Sequence, residues 1–384
     1  MDERLAQAIE ELARHNAQVE LGSKHAIVGL DGFVDRIMHV VGTRHGLGDE
    51  SFDPVPTIGA FGEKIAAAAG KSANFEMWRQ REKIGGNGPI LANALLTAGL
   101  KLGYLGMLGR PIHPLFADFA RRSNAISLGD PGVTHALEFS DGKIMLGELR
   151  DYHNLTFQRM LDAVGGEAAL CELVTASDLV CLMNWTMTPH LTAIFENILQ
   201  SILPRVPPRE GGRIFFFDLS DPAKRSVEEL RDALAAISRF QDHGHAILGL
   251  NLAEAKQVAS ALGVPLAGEL PEDLQAGVTR IRQLLAIHCV VVHPRDGAIA
   301  ATAVDEEAIY VAGPLAAHPK ISTGAGDHFN AGFLVGVLLR LSTASCLTVA
   351  VATSGQYVRT AESPTLADTT SFMERWREGH VTQS

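Results

Sequence analysis

The sequence predicts an α/β fold, a mostly parallel sheet with helices on both faces and a small β lid beside it. Three observations carry this. From about residue 165, apolar runs near 178–184, 213–218, 245–250 and 288–293 alternate with helical patterns, and strands separated by helices imply right-handed crossovers and parallel pairing. Near the N-terminus Ala26-Ile27-Val28-Gly29-Leu30 reads as a first buried strand. Between them, Thr134–Phe139 and Lys143–Leu146 flank Ser140-Asp141-Gly142, and Asp-Gly between strand-like runs marks a hairpin. It interrupts the β/α order near 133–148 and is assigned to the lid, with residues 1–384 read as a single domain.

Composition narrows the class. A hydrophobic fraction of 46%, a charged fraction of 20% and 37 glycines describe a globular protein rich in turns. The net charge of -11 argues against nucleic acid, because an acidic surface repels phosphate backbones. Cys171, Cys181, Cys289 and Cys346 lack paired spacing and read as reduced. No signal-peptide pattern or membrane-length apolar run is present, so a cytoplasmic protein is expected.

In chain order, Leu5, Ile9 and Leu12 give an amphipathic helix over 2–18 closed by Gly22. The first strand ends in Asp31-Gly32-Phe33-Val34-Asp35, which places two carboxylates past its carboxyl end, where open α/β sheets bind ligands. Residues 58–83 read as helical, broken at Lys71–Asn74. Gly85-Gly86-Asn87-Gly88-Pro89 then opens a helix ending at Gly99; its exposed backbone allows close ligand approach, and Asn87 can donate and accept as a polyol requires. Leu102–Leu108 is a strand and His113–Arg122 a helix. Thr188-Pro189 opens another helix, and Ser226 with Glu229 forms a capping box.

Two later strand ends carry polar groups, Asp218 with Asp221 and Asn251 with Glu254. The second pair shares one face of a helix start, where it suits a hydrated Mg²⁺ or a phosphate-bound water, and fits equally a helix cap. Ser322-Thr323-Gly324-Ala325-Gly326-Asp327 runs into an apolar helical stretch through Leu341. Its glycines let successive amides face one point at a helix N-terminus, which suits a phosphate oxygen. Asp327, beside those donors, is expected to stay ionised and to accept a hydroxyl proton.

Taken in this order, Asp31-x3-Asp35, Gly85-Gly86-Asn87-Gly88, Asn251-x2-Glu254 and Thr323-Gly324-Ala325-Gly326-Asp327 resemble the ribokinase-like, or PfkB, family of carbohydrate and nucleoside kinases over nearly the whole chain. The resemblance implies a Rossmann-like, doubly wound domain with a β lid, ATP near the C-terminal motif, and Mg²⁺-dependent phosphorylation of a substrate hydroxyl. Asp327 is then the base, and Gly324, Ala325 and Gly326 form the anion hole. Asn251 and Glu254 sit near Mg²⁺ and phosphates, with Thr323 and Gly297 at the nucleotide. Asp31, Asp35, Gly86 and Asn87 hold the substrate.

The sequence departs from the family in three places. Ile321-Ser322 replaces the usual Asp-Thr, which leaves a monovalent cation open. Ile90 replaces an expected asparagine, with Asn93 the nearest substitute. No Thr-x-Gly occurs over Val291–Gly297. The function expected is an ATP-dependent kinase of a sugar or small polyol. A nucleoside kinase, with Phe33 and Trp185 around the base, and a silent carbohydrate-binding regulator are the alternatives. A homodimer through the lid stays open.

Overall fold

The computed structural model describes residues 2–48, 51–266, 268 and 271–381. Among them the strands are β1 (His25–Leu30), β2 (Phe33–Arg44), β3 (Phe52–Pro54), β4 (Met77–Gly85), β5 (Lys101–Gly106), β6 (Ile126–Ser127), β7 (Gly132–Phe139), β8 (Gly142–Glu148), β9 (Leu179–Leu182), β10 (Ile214–Asp218), β11 (His245–Asn251), β12 (Cys289–His293), β13 (Gly297–Thr302) and β14 (Ile309–Ala312).

Nine strands form the main sheet in the order β14-β13-β12-β11-β10-β9-β1-β5-β6. All its pairs from β12 to β6 are parallel, while β13 and β14 close one edge antiparallel. Helices cover both faces, so the central strands are continuously apolar. β10 shows the consequence: Phe215 and Phe217 enter one core with Phe195 and Phe240, while Ile214 and Phe216 enter the other with Phe329 and Phe333. That is the two-residue alternation of a pleated strand buried on both sides. The chain runs from β1 outward to β5 and β6, then returns to β9 on the other side of β1, which makes the β1–β9 crevice the switch point where α/β ligands bind.

A second sheet of five strands is the lid. Its order is β3-β2-β7-β8, with β4 along the other side of β2. The expected hairpin is β7–β8, paired from Val133↔Glu148 to Phe139↔Gly142.

Two expectations fail here. The helix read over 58–83 stops at Ala67, and 77–85 is strand β4, paired antiparallel along β2 from Phe33↔Gly85 to Val40↔Met77. Its Arg, Gln, Glu and Lys favour a helix locally, and only Gly85 in it is buried, so no apolar alternation betrays a strand; long-range pairing decides the outcome. Asp35, read as a loop residue past the first strand, instead lies within β2. Among the described residues no helix is long and apolar enough to cross a membrane.

Candidate active site

Asp31 follows β1 directly and its carboxylate is fully buried. Oδ1 accepts the Gly88 amide at 2.9 Å and Oδ2 accepts the Asn184 side-chain amide at 2.7 Å, while Tyr104 donates to its carbonyl at 2.7 Å. Burial raises its pKa to about 6 against these bonds. The glycine cluster exists to let this carboxylate and Asp35 lie flush against the backbone. A Cβ on Gly86 would sit 2.6 Å from Asp31 Oδ2, one on Gly88 2.4 Å from Oδ1, and one on Gly85 2.3 Å from Asp35 Oδ1. Gly86 also takes φ 94°, a conformation side chains resist.

Asp35 stands in register with Lys83 of β4 and Thr134 of β7. Burial raises its pKa, opposed by Lys83, by a hydrogen bond from Thr134 and by Lys143. The lid therefore brings two lysines to this carboxylate.

The helix Ala325–Leu338 begins at Gly324, whose φ of 88° turns the chain into it. Asp327 lies in its first turn, buried, with Oδ1 lacking any partner. The helix N-terminus was expected to keep it ionised. Burial, with the charges of Asp31 and Glu254, pushes its pKa well up, against a hydrogen bond from Asn87. A carboxylate so raised is a better proton acceptor than an ordinary one. Asp218 is raised in the same way by burial and by Glu254, Asp327 and Asp31; its Oδ2 accepts Asn330 at 3.2 Å and its Oδ1 has no partner. Asp327 and Asp218, each acted on by the charges of Asp31 and Glu254, thus carry one orphaned oxygen apiece, an arrangement that hydroxyl donors would satisfy.

Asn251 and Glu254 form a full capping box on the helix Leu252–Leu262. Glu254 Oε2 accepts the Asn251 amide at 2.8 Å, and Oε1 accepts the amide of Asp221 at 3.0 Å. The capping role is therefore present. Among the described residues no group of three His, Cys, Asp or Glu side chains is placed to hold a metal unaided.

Next to the Gly-Ala-Gly turn lies a cavity of about 280 Å³, lined by His293, Gly297, Ser322, Gly326, Phe329 and Ser354 among others. Of the three expected anion-hole amides, that of Ala325 turns back to the Ser322 carbonyl at 3.2 Å, whereas those of Gly324 and Gly326 make no hydrogen bond among the described residues. The Thr323 hydroxyl accepts Lys143 of the lid at 2.6 Å.

Other sequence expectations are not met. Asn93, the nearest substitute for the asparagine replaced by Ile90, donates its side-chain amide to Ser363 and accepts from Arg122, so its side chain is already engaged. Trp185 is fully buried beneath Arg225, and Phe33 packs on Tyr152 within the core, so neither is free to sandwich a base. Asn184, Tyr104 and Lys83 were missed. Asn184 does carry a sequence cue, as a polar residue just past the apolar strand β9; Tyr104 and Lys83 reach their acids only through sheet pairing.

A family model described as prokaryotic ketohexokinase matches residues 1–376. A ketohexokinase of Haloferax volcanii is 29% identical over 351 residues, covering 90% of each chain. Among solved structures, a carbohydrate kinase from Agrobacterium tumefaciens matches with a TM-score of 0.59 at 19% identity, over 94% of this chain and 98% of its own. An Arabidopsis thaliana ribokinase complexed with ribose and ATP matches at 0.59 and 17%, over 91% and 98%. A nucleoside kinase from Methanocaldococcus jannaschii matches at 0.57 and 14%, over 92% and 98%. At those identities the structural likeness shows the ribokinase fold, and the family match spans nearly the whole sequence: the chain belongs to the prokaryotic ketohexokinase family, a family of carbohydrate kinases.

Proposed function

We propose that this chain transfers the terminal phosphoryl group of ATP to a hydroxyl of a ketohexose, with Asp327 accepting the hydroxyl proton. The observation that carries the reading is the unpartnered, buried Oδ1 of Asp327, which follows the Gly324-Ala325-Gly326 turn with its two unpartnered glycine amides and feels the charge of Asp31. A substrate hydroxyl bonded there would be deprotonated as it attacks, while the free amides bind the phosphoryl oxygens. Asp31, Asp35 and Asn87 face the sugar, and the cavity lined by Gly297 and Ser322, next to Thr323 in the chain, takes the nucleotide. Asn251 and Glu254 would hold a hydrated magnesium carried on the phosphates, which supplies neutralisation of their charge when bound. The amides already on both Glu254 oxygens suit a hold through water.

The nucleoside alternative loses support with Trp185 and Phe33 both packed into the core. A screen of ketohexoses, aldohexoses, nucleosides and sugar phosphates for ADP release tests the proposal. A ketohexose with the highest kcat/KM is expected. A nucleoside or a sugar phosphate outranking it would overturn the reading.

A further inference from the structure

Three successive carbonyls of the catalytic turn are each held by a side chain. Tyr357 donates its hydroxyl to Thr323 O at 2.9 Å, His328 Nδ1 bonds Gly324 O at 2.7 Å, and Ser354 donates to Ala325 O at 3.0 Å. The first two donors support one another. The rings of His328 and Tyr357 stack with centroids 3.5 Å apart and planes 11° from parallel, and His328 Nε2 is pinned by Ser363 at 2.8 Å. Both residues are buried.

A trans peptide unit is planar, with its C=O and the following N–H pointing in opposite directions. Fixing the carbonyl of Thr323 therefore fixes the amide of Gly324, and fixing that of Ala325 fixes the amide of Gly326. Both of those amides are without a hydrogen-bond partner among the described residues. The carbonyl of Gly324, which takes both His328 Nδ1 and the His328 amide at 3.1 Å, sets the bend between them. Gly324 itself contributes no stiffness at φ 88°, so the restraint has to come from its neighbours.

We infer that Tyr357 and His328, assisted by Ser354, are positioning residues that aim the Gly324 and Gly326 amides at the phosphoryl group in flight. The inference rests on the reading of this turn as the anion site. His328 acts as a neutral ring: burial holds its pKa down near 4, so the bond pattern persists through the working pH range. In that state one nitrogen donates to Gly324 O and the other accepts from Ser363.

Tyr357→Phe keeps the ring, its volume and the stack, and removes one bond. Its kcat is expected to fall about 10- to 100-fold, the usual cost of losing a group that orients a catalytic one, with the KM values for ATP and sugar within about twofold of wild type. Affinity for ADP with aluminium fluoride and sugar, a mimic of the phosphoryl group in transfer, should fall in parallel. His328→Leu should match that loss, and His328→Asn, whose amide can still donate to Gly324 O, should recover most of the rate. Wild-type kcat in Tyr357→Phe and His328→Leu alongside an inactive Asp327→Asn would overturn the positioning role and leave the base standing. A fully active Asp327→Asn would overturn both. A fall in melting temperature with kcat and aluminium fluoride affinity unchanged would reduce the pair to a structural brace.

Discussion

Lys143 and Thr323 lie 180 residues apart in sequence, and the lysine of the β7–β8 hairpin donates to the threonine hydroxyl at 2.6 Å. This bond ties the lid to the residue that precedes the anion turn. On the proposed reading this places a cation where phosphoryl charge would gather, and the same lysine acts on Asp35, assigned there to the sugar. Lid position and turn chemistry are thereby linked through one side chain. Lys143→Met, which keeps the length and removes the charge, should lower kcat about 10-fold or more with a smaller change in the KM for ATP. A variant with wild-type kcat would show that the lysine only rests on the turn.

Asp327→Asn preserves shape and removes the proton acceptor. The expected loss in kcat is about 10² to 10⁴, with nucleotide affinity nearly intact, because the cavity beside Gly297 does not depend on this carboxylate. Stopped-flow measurement of the chemical step, together with ATP binding by calorimetry, checks both halves.

The main sheet was legible because its strands are continuous apolar runs such as Ile214–Phe217 separated by helical patterns, a contrast that survives without tertiary knowledge. The lid was half legible. Its β7–β8 hairpin announces itself through Asp141-Gly142, whereas β4 carries Arg79, Gln80, Arg81 and Glu82 with no alternation and becomes a strand only because β2 is there to pair with it. The site divides in the same way. The candidates Asp31, Asn87 and Asp327 stand beside glycines and could be picked out locally, and Asp35 by its spacing from Asp31 although it lies within β2. Asn184 and Tyr104 could not be linked to Asp31, because only strand order brings the ends of β9 and β5 to either side of β1. Likewise, whether Asn251 and Glu254 cap a helix or serve a metal could not be separated by spacing, since both need an acid three residues into the helix.

Glu254→Gln tests that last pair. Glutamine can accept only one of the two amides now on Glu254, and its own amide group faces the other donor. Removing a charged acceptor from a buried amide costs about 1 to 3 kcal/mol, so a fall in melting temperature is expected. If the residue also serves the nucleotide-borne metal, the Mg²⁺ concentration for half-maximal rate rises several-fold. Lost stability with unchanged metal dependence assigns Glu254 to the cap alone.

The pKa of Asp31, raised by burial from 3.8 to about 6, makes sugar affinity depend on pH in a direction that can be stated. Its ionised form is the one that would accept hydroxyl donors, so affinity nears its full value by about pH 7, is halved near pH 6 and fades below it. At pH 5 about one tenth of the groups remain ionised, and the KM for sugar should be about tenfold higher than at pH 7. Stability moves the other way. A carboxyl whose folded pKa exceeds its unfolded one favours the folded state at low pH and loses that contribution as pH rises through about 6, a difference of about 3 kcal/mol for a shift of this size. His288, His293 and His328, each held down near 4 by burial, oppose this over the same window, since they favour the neutral folded form and weaken it as pH falls below 6.5. The readout is therefore the difference between wild type and Asp31→Asn, in which the histidine contributions cancel. Asp31→Asn should show a raised KM for sugar whose rise toward pH 5 is shallower than that of the wild type, leaving only what Asp35 and Asp327 contribute, and a melting temperature that gains on the wild type as pH rises from 5 to 8. A wild-type KM that is flat over this range, or an Asn variant that keeps the wild-type slope, would remove Asp31 from the sugar site.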